Sequence, residues 1–252
     1  MTGSHAAPPR PASTIVLMRD SLAGLEVCMV VRHHEIDFAS GALVFPGGRL
    51  ESSDGELATA FAGDGAADPL LALKIAAIRE AYEECGLLIA RPRGADALAP
   101  PARVLSLDRT APFAALIARE NLVPATDALV AFARWITPAF LPKRFDTHFF
   151  LALAPPGQAL AHDGREAVDS IWISPRQALA ERGRRFKLLF PTERNLWKLA
   201  RFDDTASALE AARAAPSRWP PKHALFKRLS RSARFVPGRD RGRLARRNSL
   251  FF

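Results

Sequence analysis

The chain has 252 residues, a formal net charge of +9 at pH 7, and 48% hydrophobic and 24% charged residues. These values are ordinary for a soluble globular protein, and the length is sufficient to bury one substantial core. No run approaches the roughly 20 apolar residues that span a bilayer, and two cysteines do not make a disulfide framework. Composition therefore excludes a membrane-spanning protein and a disulfide scaffold, and we expect a single cytoplasmic domain.

The positive charge is concentrated near the end of the chain. Residues 222–252 contain ten Lys and Arg against one acid, Asp240, whereas residues 1–221 carry both signs in equal number. A segment this rich in arginine attracts polyanions. We interpret it as a basic, flexible, solvated tail, and contact with nucleic acid or an anionic membrane surface is the alternative.

The first third of the chain predicts strands around turns. Residues 1–11 are rich in proline and are interpreted as a flexible N-terminus ahead of a domain over residues 12–221. Aliphatic and β-branched runs predict strands at residues 13–18, 25–32 and 42–45. Residues 51–68 are rich in Ser, Asp, Gly and Ala, and we interpret them as an inserted surface loop with a short helical turn at residues 56–61.

An apolar periodic run predicts the central helix. It begins near Asp68-Pro69, where aspartate can cap a helix and proline suits its first position, and Gly86 suits its exit. Glu80, Glu83 and Glu84 lie at i, i+3 and i+4 of this helix. Three carboxylates are therefore expected on one helix face.

The rest of the chain predicts alternating strands and helices. Strands are expected at residues 87–90, 129–136, 145–153 and 167–173, and helices at residues 112–121 and 174–181, with two C-terminal helices within about 190–215. Composition and periodicity alone support a mixed α/β protein.

The three glutamates suggest a metal site. Like charges held close together repel, and a divalent cation relieves that repulsion; oxygen ligands favour Mg²⁺ or Mn²⁺. Upstream, the segment Phe45-Pro46-Gly47-Gly48 permits a tight backbone turn from which a main-chain carbonyl could reach an ion. A solvated acidic helix face is the alternative interpretation of the glutamates by themselves.

Together the two segments resemble the Nudix box, G-x5-E-x7-R-E-U-x-E-E-x-G-U, where U is apolar. The matching residues are Gly48, Arg79, Glu80, Glu83, Glu84, Gly86 and Leu87. Asp54 stands where the pattern has its first glutamate, and 25 positions separate it from Arg79 where the pattern has 8. The box is thus interrupted by the insert.

This resemblance implies the fold, the chemistry and the site residues. The Nudix fold is an α/β/α sandwich on a mixed sheet, with the box forming a loop–helix–loop, and family members are often dimers. The family hydrolyses nucleoside diphosphate derivatives with Mg²⁺ or Mn²⁺. By resemblance, Glu83, Glu84 and the Gly48 carbonyl are metal ligands, Glu80 is a ligand or the base, and Arg79 orients the carboxylates.

Many family members place a further acid in a loop after the box. Glu166, six residues before Trp172, is the first candidate for a general base here, and Asp163 is the second. An ordinary polar loop is the alternative.

Other residues resemble the coenzyme A diphosphatases of the family. Arg32, Gly41, Phe45, Pro46, Gly47 and Gly48 partly match their motif, although Asp37 replaces its second arginine. The interrupted box, Arg144-Phe145-Asp146-Thr147 and Pro191-Thr192 resemble the mammalian peroxisomal group. That resemblance implies cleavage of CoA or acyl-CoA to 3′,5′-ADP and (acyl-)4′-phosphopantetheine, with Arg32, Gly47, Gly48 and Arg144 contacting the nucleotide-type substrate.

Three alternatives stay open from the sequence. Within the same chemistry, the substrate is ADP-ribose, NADH or another nucleotide sugar. In a different class, the chain is a Nudix-like module that senses a nucleotide without cleaving it. The basic tail suggests a third alternative, a role in RNA processing, although the body carries no recognisable RNA-binding signature.

Overall fold

The computed structural model describes residues 7–32, 41–63, 68–161 and 167–214. Within these residues the strands are β1 (Arg10–Ser21), β2 (Gly24–Arg32), β3 (Ala42–Val44), β4 (Gly47–Arg49), β5 (Ala90–Pro92), β6 (Leu122–Pro124), β7 (Val130–Ile136), β8 (Phe145–Leu153), β9 (Ala167–Ile173) and β10 (Lys187–Leu188). The helices are α1 (Ser52–Phe61), α2 (Leu71–Cys85), α3 (Pro101–Leu105), α4 (Phe113–Arg119), α5 (Pro175–Ala180), α6 (Phe190–Leu199) and α7 (Thr205–Ala214).

The centre of the molecule is a mixed sheet of eight strands in the order β10-β3-β2-β1-β8-β7, in which β4 also pairs with β1 and β9 with β2. β1 is antiparallel to β2 and parallel to β8. Four consecutive residues of β1, from Ile15 to Met18, are completely buried. A strand that is apolar on both faces belongs in the middle of a sheet covered on both sides, which is where β1 lies.

Two layers of helices cover the sheet. On one face, Ile15 and Leu17 of β1 pack in a core that includes Ile75 and Ile78 of α2. On the other face, Val16 and Met18 of β1 pack in a second core with Leu196 and Leu199 of α6 and Leu209 of α7. This arrangement is the α/β/α sandwich that the resemblance implies.

The pairing of β4 with β1 places the glycine turn under α2. Gly48 lies opposite Ser13, and Gly47 lies opposite Thr14. The Ser13 hydroxyl donates a hydrogen bond of 2.6 Å to the Leu73 carbonyl of α2. The glycine pair and the first turn of α2 are therefore both joined to the same stretch of β1.

The prediction of a surface loop over residues 51–68 is wrong. Residues 52–61 form helix α1, and the Leu57 side chain is buried against the core of α2. The insert folds because Leu57 and its apolar neighbours have a surface to pack on, which its small polar residues did not indicate. Residues 64–67 lie outside the described residues.

Two predicted boundaries also differ from the structure. β1 begins at Arg10, whose N–H donates to the Arg144 carbonyl at 2.9 Å, so the predicted flexible N-terminus over residues 1–11 ends too late. Helix α2 begins at Leu71 and not at Pro69, because the Asp68 carboxylate accepts a hydrogen bond from the Leu70 N–H, one residue before the helix.

Several short strands were not predicted. These are β4, β6 and β10, and β5 begins only at Ala90, the last residue of the strand predicted over 87–90. They have two or three residues each, too few for an alternating pattern. No helix in the described ranges has the length and apolarity to cross a membrane. The predicted basic tail, residues 222–252, lies outside these ranges.

Candidate active site

The box helix ends as predicted and is held at its end. Gly86 adopts a left-handed conformation with φ of 71°, and its N–H donates to the Tyr82 carbonyl at 2.9 Å. Arg109 donates through Nη2 to the Glu83 carbonyl at 2.8 Å. Capping by a glycine and by a cation fixes the last turns of α2, which carry the three glutamates.

Glu80 and Glu84 both lie against the glycine turn. The Glu84 carboxylate accepts a hydrogen bond from the Gly47 N–H at 3.1 Å. A Cβ atom on Gly48 would lie 2.6 Å from Cδ of Glu80, so the Glu80 carboxylate occupies the space that a side chain at 48 would take. Both glutamates are buried, with exposures of 8% and 5%.

This arrangement is electrostatically unfavourable without a cation. Burial, and after it the nearby charge of Glu80, raises the pKa of Glu84 well above its ordinary value, and the hydrogen bond from Gly47 opposes this only in part. Two carboxylates held close together out of water gain stability from any positive charge between them. The geometry is therefore suited to binding a cation.

Arg79 organises the acids around it. Its five N–H donors are all used: Nε and Nη2 on Asp54 at 3.0 and 3.1 Å, Nη1 on Glu80 and on Glu83 at 2.9 Å each, and Nη2 on the Arg49 carbonyl at 3.0 Å. Burial opposes the charge on the guanidinium, but the hydrogen bond to Asp54 and the charges of Glu80, Asp54 and Glu83 outweigh it and raise the pKa of Arg79.

Glu83 differs from the other two glutamates. Its side chain is 42% exposed, and its carboxylate is paired with Arg79. Within the described ranges, no three His, Cys, Asp or Glu side chains are grouped so that they could hold a metal ion together. The three glutamates thus share one end of the helix, but only Glu80 and Glu84 meet at the glycine turn.

The residues present nevertheless fit a hard divalent cation. Mg²⁺ is commonly held by one or two carboxylates, several waters and the phosphates of a substrate, and it does not require a complete protein cage. Glu80 and Glu84 supply two carboxylates, and the Gly47-Gly48 turn lies directly against them. The Gly48 carbonyl as a further ligand stays a prediction. The Glu83 carboxylate is bonded to Arg79 through Oε2, and its role as a metal ligand stays a prediction.

Of the predicted substrate contacts, Arg32 lies near the acids. It ends β2, its positive charge lowers the pKa of Glu84, and its buried Nε has no hydrogen-bond partner among the described residues. Arg144 is placed differently, since Nε donates to the Thr137 carbonyl and Nη1 to the Ala7 carbonyl. Those bonds give Arg144 a structural role where the ends of β1, β7 and β8 meet, and its contact with substrate stays a prediction.

Some site residues were missed or lie outside the description. Because of the insert, the sequence did not settle whether Asp54 pairs with Arg79. In the structure Asp54 is completely buried and accepts a hydrogen bond from Arg79. Arg109 was missed because it lies 26 positions from Glu83 in sequence, with no motif to connect them. Glu166 and Asp163, the candidates for a general base, fall outside the described residues.

Comparison with known proteins places the sequence in a family. A sequence model of the NUDT19 Nudix domain matches residues 60–197. The chain is 36% identical over 125 residues to the human acyl-coenzyme A diphosphatase NUDT19, covering 43% of this chain and 33% of the human protein. It is 28% identical over 210 residues to the Gallus gallus protein of that name, covering 61% and 55% of the two chains. The chain spans about half the length of these curated relatives, or less.

A solved structure resembles the whole fold. The crystal structure of a NUDIX hydrolase from Alicyclobacillus acidocaldarius superposes with a TM-score of 0.67 at 28% identity. The superposition covers 81% of this chain and 96% of that chain. The likeness therefore extends beyond the box helix to the sandwich that positions it.

Proposed function

Because this chain belongs to the Nudix hydrolases, in the family of the NUDT19 Nudix domain, we propose that it hydrolyses CoA or acyl-CoA at the diphosphate. The products would be 3′,5′-ADP and 4′-phosphopantetheine or its acyl derivative. The observation that carries the proposal is the meeting of Glu80 and Glu84 at the Gly47-Gly48 turn. These two carboxylates offer only oxygen ligands, and they lie on the helix that carries the Nudix box.

Mg²⁺ or Mn²⁺ held by Glu80 and Glu84 would supply neutralisation of the crowded phosphate charge and a water of lowered pKa. Gly48 permits close approach, since it has no side chain to fill the space that the Glu80 carboxylate occupies. Arg79 holds the carboxylates of Glu80 and Glu83 in place through its Nη1 bonds. The sequence offers two candidates for the proton acceptor, Glu80 and Glu166.

The choice of CoA rests on two kinds of support. The partial motif from Arg32 to Gly48 is typical of coenzyme A diphosphatases, and Arg32 lies near enough to Glu84 to act on its pKa. A cation beside the acids whose buried Nε has no partner in the part of the chain that the structure describes suits a phosphate oxygen. The relatives named acyl-coenzyme A diphosphatase point to the same substrate class.

A substrate panel tests the proposal. The purified full chain is incubated with CoA, an acyl-CoA, ADP-ribose or NADH, each with Mg²⁺, Mn²⁺ or a chelator, and the products are separated by chromatography. We expect 3′,5′-ADP from CoA and acyl-CoA, only when a divalent ion is present. AMP from ADP-ribose or NADH without any 3′,5′-ADP would overturn the substrate assignment, and no product from any diphosphate would overturn the function.

A further inference from the structure

The loop between β7 and β8 presents an apolar tip, residues 138–142, to solvent. None of these five residues has a charge or a side chain that forms hydrogen bonds. Phe140 is 76% exposed and its neighbour Leu141 is 42% exposed. The other exposed large hydrophobic residues of the described ranges are single: Leu22, Leu105, Leu153 and Trp197. Single exposed apolar residues are normal, whereas adjacent ones form a contiguous apolar surface, which is typical of a binding site.

The loop is held at its base, so the exposure of its tip is a feature of the fold. The Thr137 N–H donates to the Phe145 carbonyl at 2.9 Å, and the Thr137 hydroxyl accepts from the Phe145 N–H at 3.0 Å. Across the tip, the Leu141 N–H donates to the Pro138 carbonyl at 3.2 Å. A proline at each end of the tip further restricts the backbone. The chain therefore presents Phe140 and Leu141 in a defined place.

The tip and the candidate active site lie at the same end of the sheet. β8 is parallel to β1, and its first residue, Phe145, lies opposite Arg10 at the start of β1. Ser13 of β1 lies opposite Gly48, and from Ser13 to Arg10 is about 10 Å along the strand. Arg32 is the last residue of β2, which is antiparallel to β1, so Arg32 lies at this end as well.

The glycine turn lies between Arg32 and the loop. Residues 12–14 of β1 pair with β8 on one edge and therefore with β4 on the other, which is the edge that faces β2. Arg32 acts on the pKa of Glu84, which is bonded to Gly47 of β4. A substrate with its diphosphate at the acids and its nucleotide phosphates at Arg32 therefore extends its other end toward β8 and the loop.

We propose that the apolar tip binds the acyl chain of an acyl-CoA, and that Phe140 and Leu141 determine the preference for acylated over free CoA. This inference rests on the proposed function for the identity of the substrate. The arm between the diphosphate and the thioester contains two amide units separated by methylenes, so when extended it is longer than three residues of a strand. An acyl chain at the end of that arm reaches the tip, where its methylenes and the two side chains leave water together.

Three variants and a control test the tip. Phe140→Ser and Leu141→Ser each remove one apolar side chain, and the double variant removes both. Because these side chains are exposed, the variants should keep the melting temperature of wild type. Leu22→Ser is the matched control, since Leu22 is fully exposed in the turn between β1 and β2, at the opposite end of the sheet.

The first measurement is kcat/KM of the full chain for CoA, acetyl-CoA and octanoyl-CoA with Mg²⁺. Burial of each methylene changes affinity by about fourfold, so wild type should favour octanoyl-CoA over CoA by at least about tenfold. The double variant should lose that preference and cleave free CoA as wild type does, the single variants should lose part of it, and Leu22→Ser should behave as wild type. A wild type without the preference would overturn the inference, as would a double variant that keeps it.

The second measurement separates this inference from the proposed function. If neither compound is cleaved, binding of CoA and of octanoyl-CoA is measured by titration calorimetry in the same buffer. Tighter binding of octanoyl-CoA that is lost in the double variant would then support the inference while the proposed function fails. Equal binding of the two compounds would overturn both.

Two further assays test other occupants of the tip, a lipid surface and a second copy of the chain. They are sedimentation with phosphatidylcholine vesicles and analytical ultracentrifugation of the protein alone. We expect wild type and the double variant to behave alike in both. Vesicle binding or dimerisation that the double variant loses, while it keeps the preference for octanoyl-CoA, would assign the tip to that occupant and overturn the inference.

Discussion

Gly47 and Gly48 are adjacent but meet different neighbours. A Cβ on Gly47 would lie 2.5 Å from the Ser13 carbonyl oxygen and 2.7 Å from the Thr14 Cα, and main chain in the middle of a sheet cannot move aside. A Cβ on Gly48 would meet the end of the Glu80 side chain. The absence of a side chain at Gly47 therefore permits the close pairing of β4 with β1, whereas at Gly48 it leaves room for the Glu80 carboxylate.

The two alanine variants should separate these tasks. Gly47→Ala should lower the melting temperature clearly, because overpacking against main chain costs about 1–3 kcal/mol. Gly48→Ala should keep a melting temperature near wild type but lose diphosphatase turnover, because Glu80 is pushed from the turn. Scanning calorimetry and a turnover assay check both, and a reversed pattern would contradict the assignment.

His148 makes stability depend on pH. Burial first, and then the charge of Arg134, lowers the pKa of His148 below its ordinary value, while Asp146 works in the opposite direction. Above about pH 6.5 the imidazole is neutral in both the folded and the unfolded chain. As pH falls below that value the unfolded chain binds the proton more readily, so folding stability is lost.

Replacing His148 should reduce this acid sensitivity. We expect the fall in melting temperature between pH 7.5 and 5.5 to be smaller in His148→Gln than in wild type. Calorimetry at both pH values measures it. An unchanged or larger fall in the variant would show that His148 does not disfavour protonation in the folded state.

At the scale of single residues, the sequence predicts those site residues that belong to one motif. Glu80, Glu84, Gly47 and Gly48 are found at the site because their spacing carries the signal. Glu83 has the same spacing but faces Arg79, since a helix face does not decide which partner a flexible side chain takes. Arg109 has no such pattern, because its contact with α2 exists only after α4 and its preceding loop have folded back.

At the scale of elements, the end of α2 depends on Arg109. This side chain donates to the Glu83 carbonyl at 2.8 Å and to the Tyr82 carbonyl at 3.3 Å, and its guanidinium lies 5.9 Å from the centroid of the Tyr82 ring. A cation bonded to the last carbonyls of a helix favours its dipole as well as satisfying its acceptors.

Arg109→Met should therefore destabilise the protein by about 1–2 kcal/mol, since it keeps the aliphatic stem and removes the donors. Arg119→Met is the control, because Arg119 is exposed and pairs with Glu120 at the surface. Denaturant unfolding of both variants gives the difference. Equal stability of the two variants would mean that Arg109 does not hold the helix end.

Elements are predictable in proportion to their length and to the regularity of their pattern. β8 and β9 have the predicted bounds, and the predicted start of α2 is two residues too early. The sequence predicts a loop with one short helical turn in place of helix α1, because glycine, serine and aspartate are weak helix formers. The stability of α1 comes from burial of Leu57 and from the capping box at its start.

At the scale of the whole molecule, the sandwich follows from two apolar faces on one sheet. Consecutive buried residues in β1 predict a strand covered on both sides, and the helices that cover its two faces are more than a hundred residues apart in the chain. The order of the strands, in contrast, cannot be predicted from the sequence. The parallel pairing of β1 with β8 joins residues more than a hundred positions apart, and no local pattern encodes it.

The charge of the chain divides at about residue 222. Ten Lys and Arg lie in residues 222–252, and residues 1–221 are balanced. Removal of residues 222–252 should abolish salt-sensitive retention on a polyanion column and leave diphosphatase activity unchanged, because retention follows the number of cations that meet the polymer. Equal retention of the truncated and full chains would place the polyanion contact on the body.

The most direct test of the site is the turnover of Glu84→Gln with CoA and Mg²⁺. Glutamine keeps the size of the side chain and an oxygen for the Gly47 N–H, so only the charge is lost. Glu210→Gln, at an exposed position of α7, is the matched control. We predict that Glu84→Gln lowers kcat/KM at least about a hundredfold while Glu210→Gln stays at wild type. Turnover of Glu84→Gln within a few fold of wild type would contradict the account.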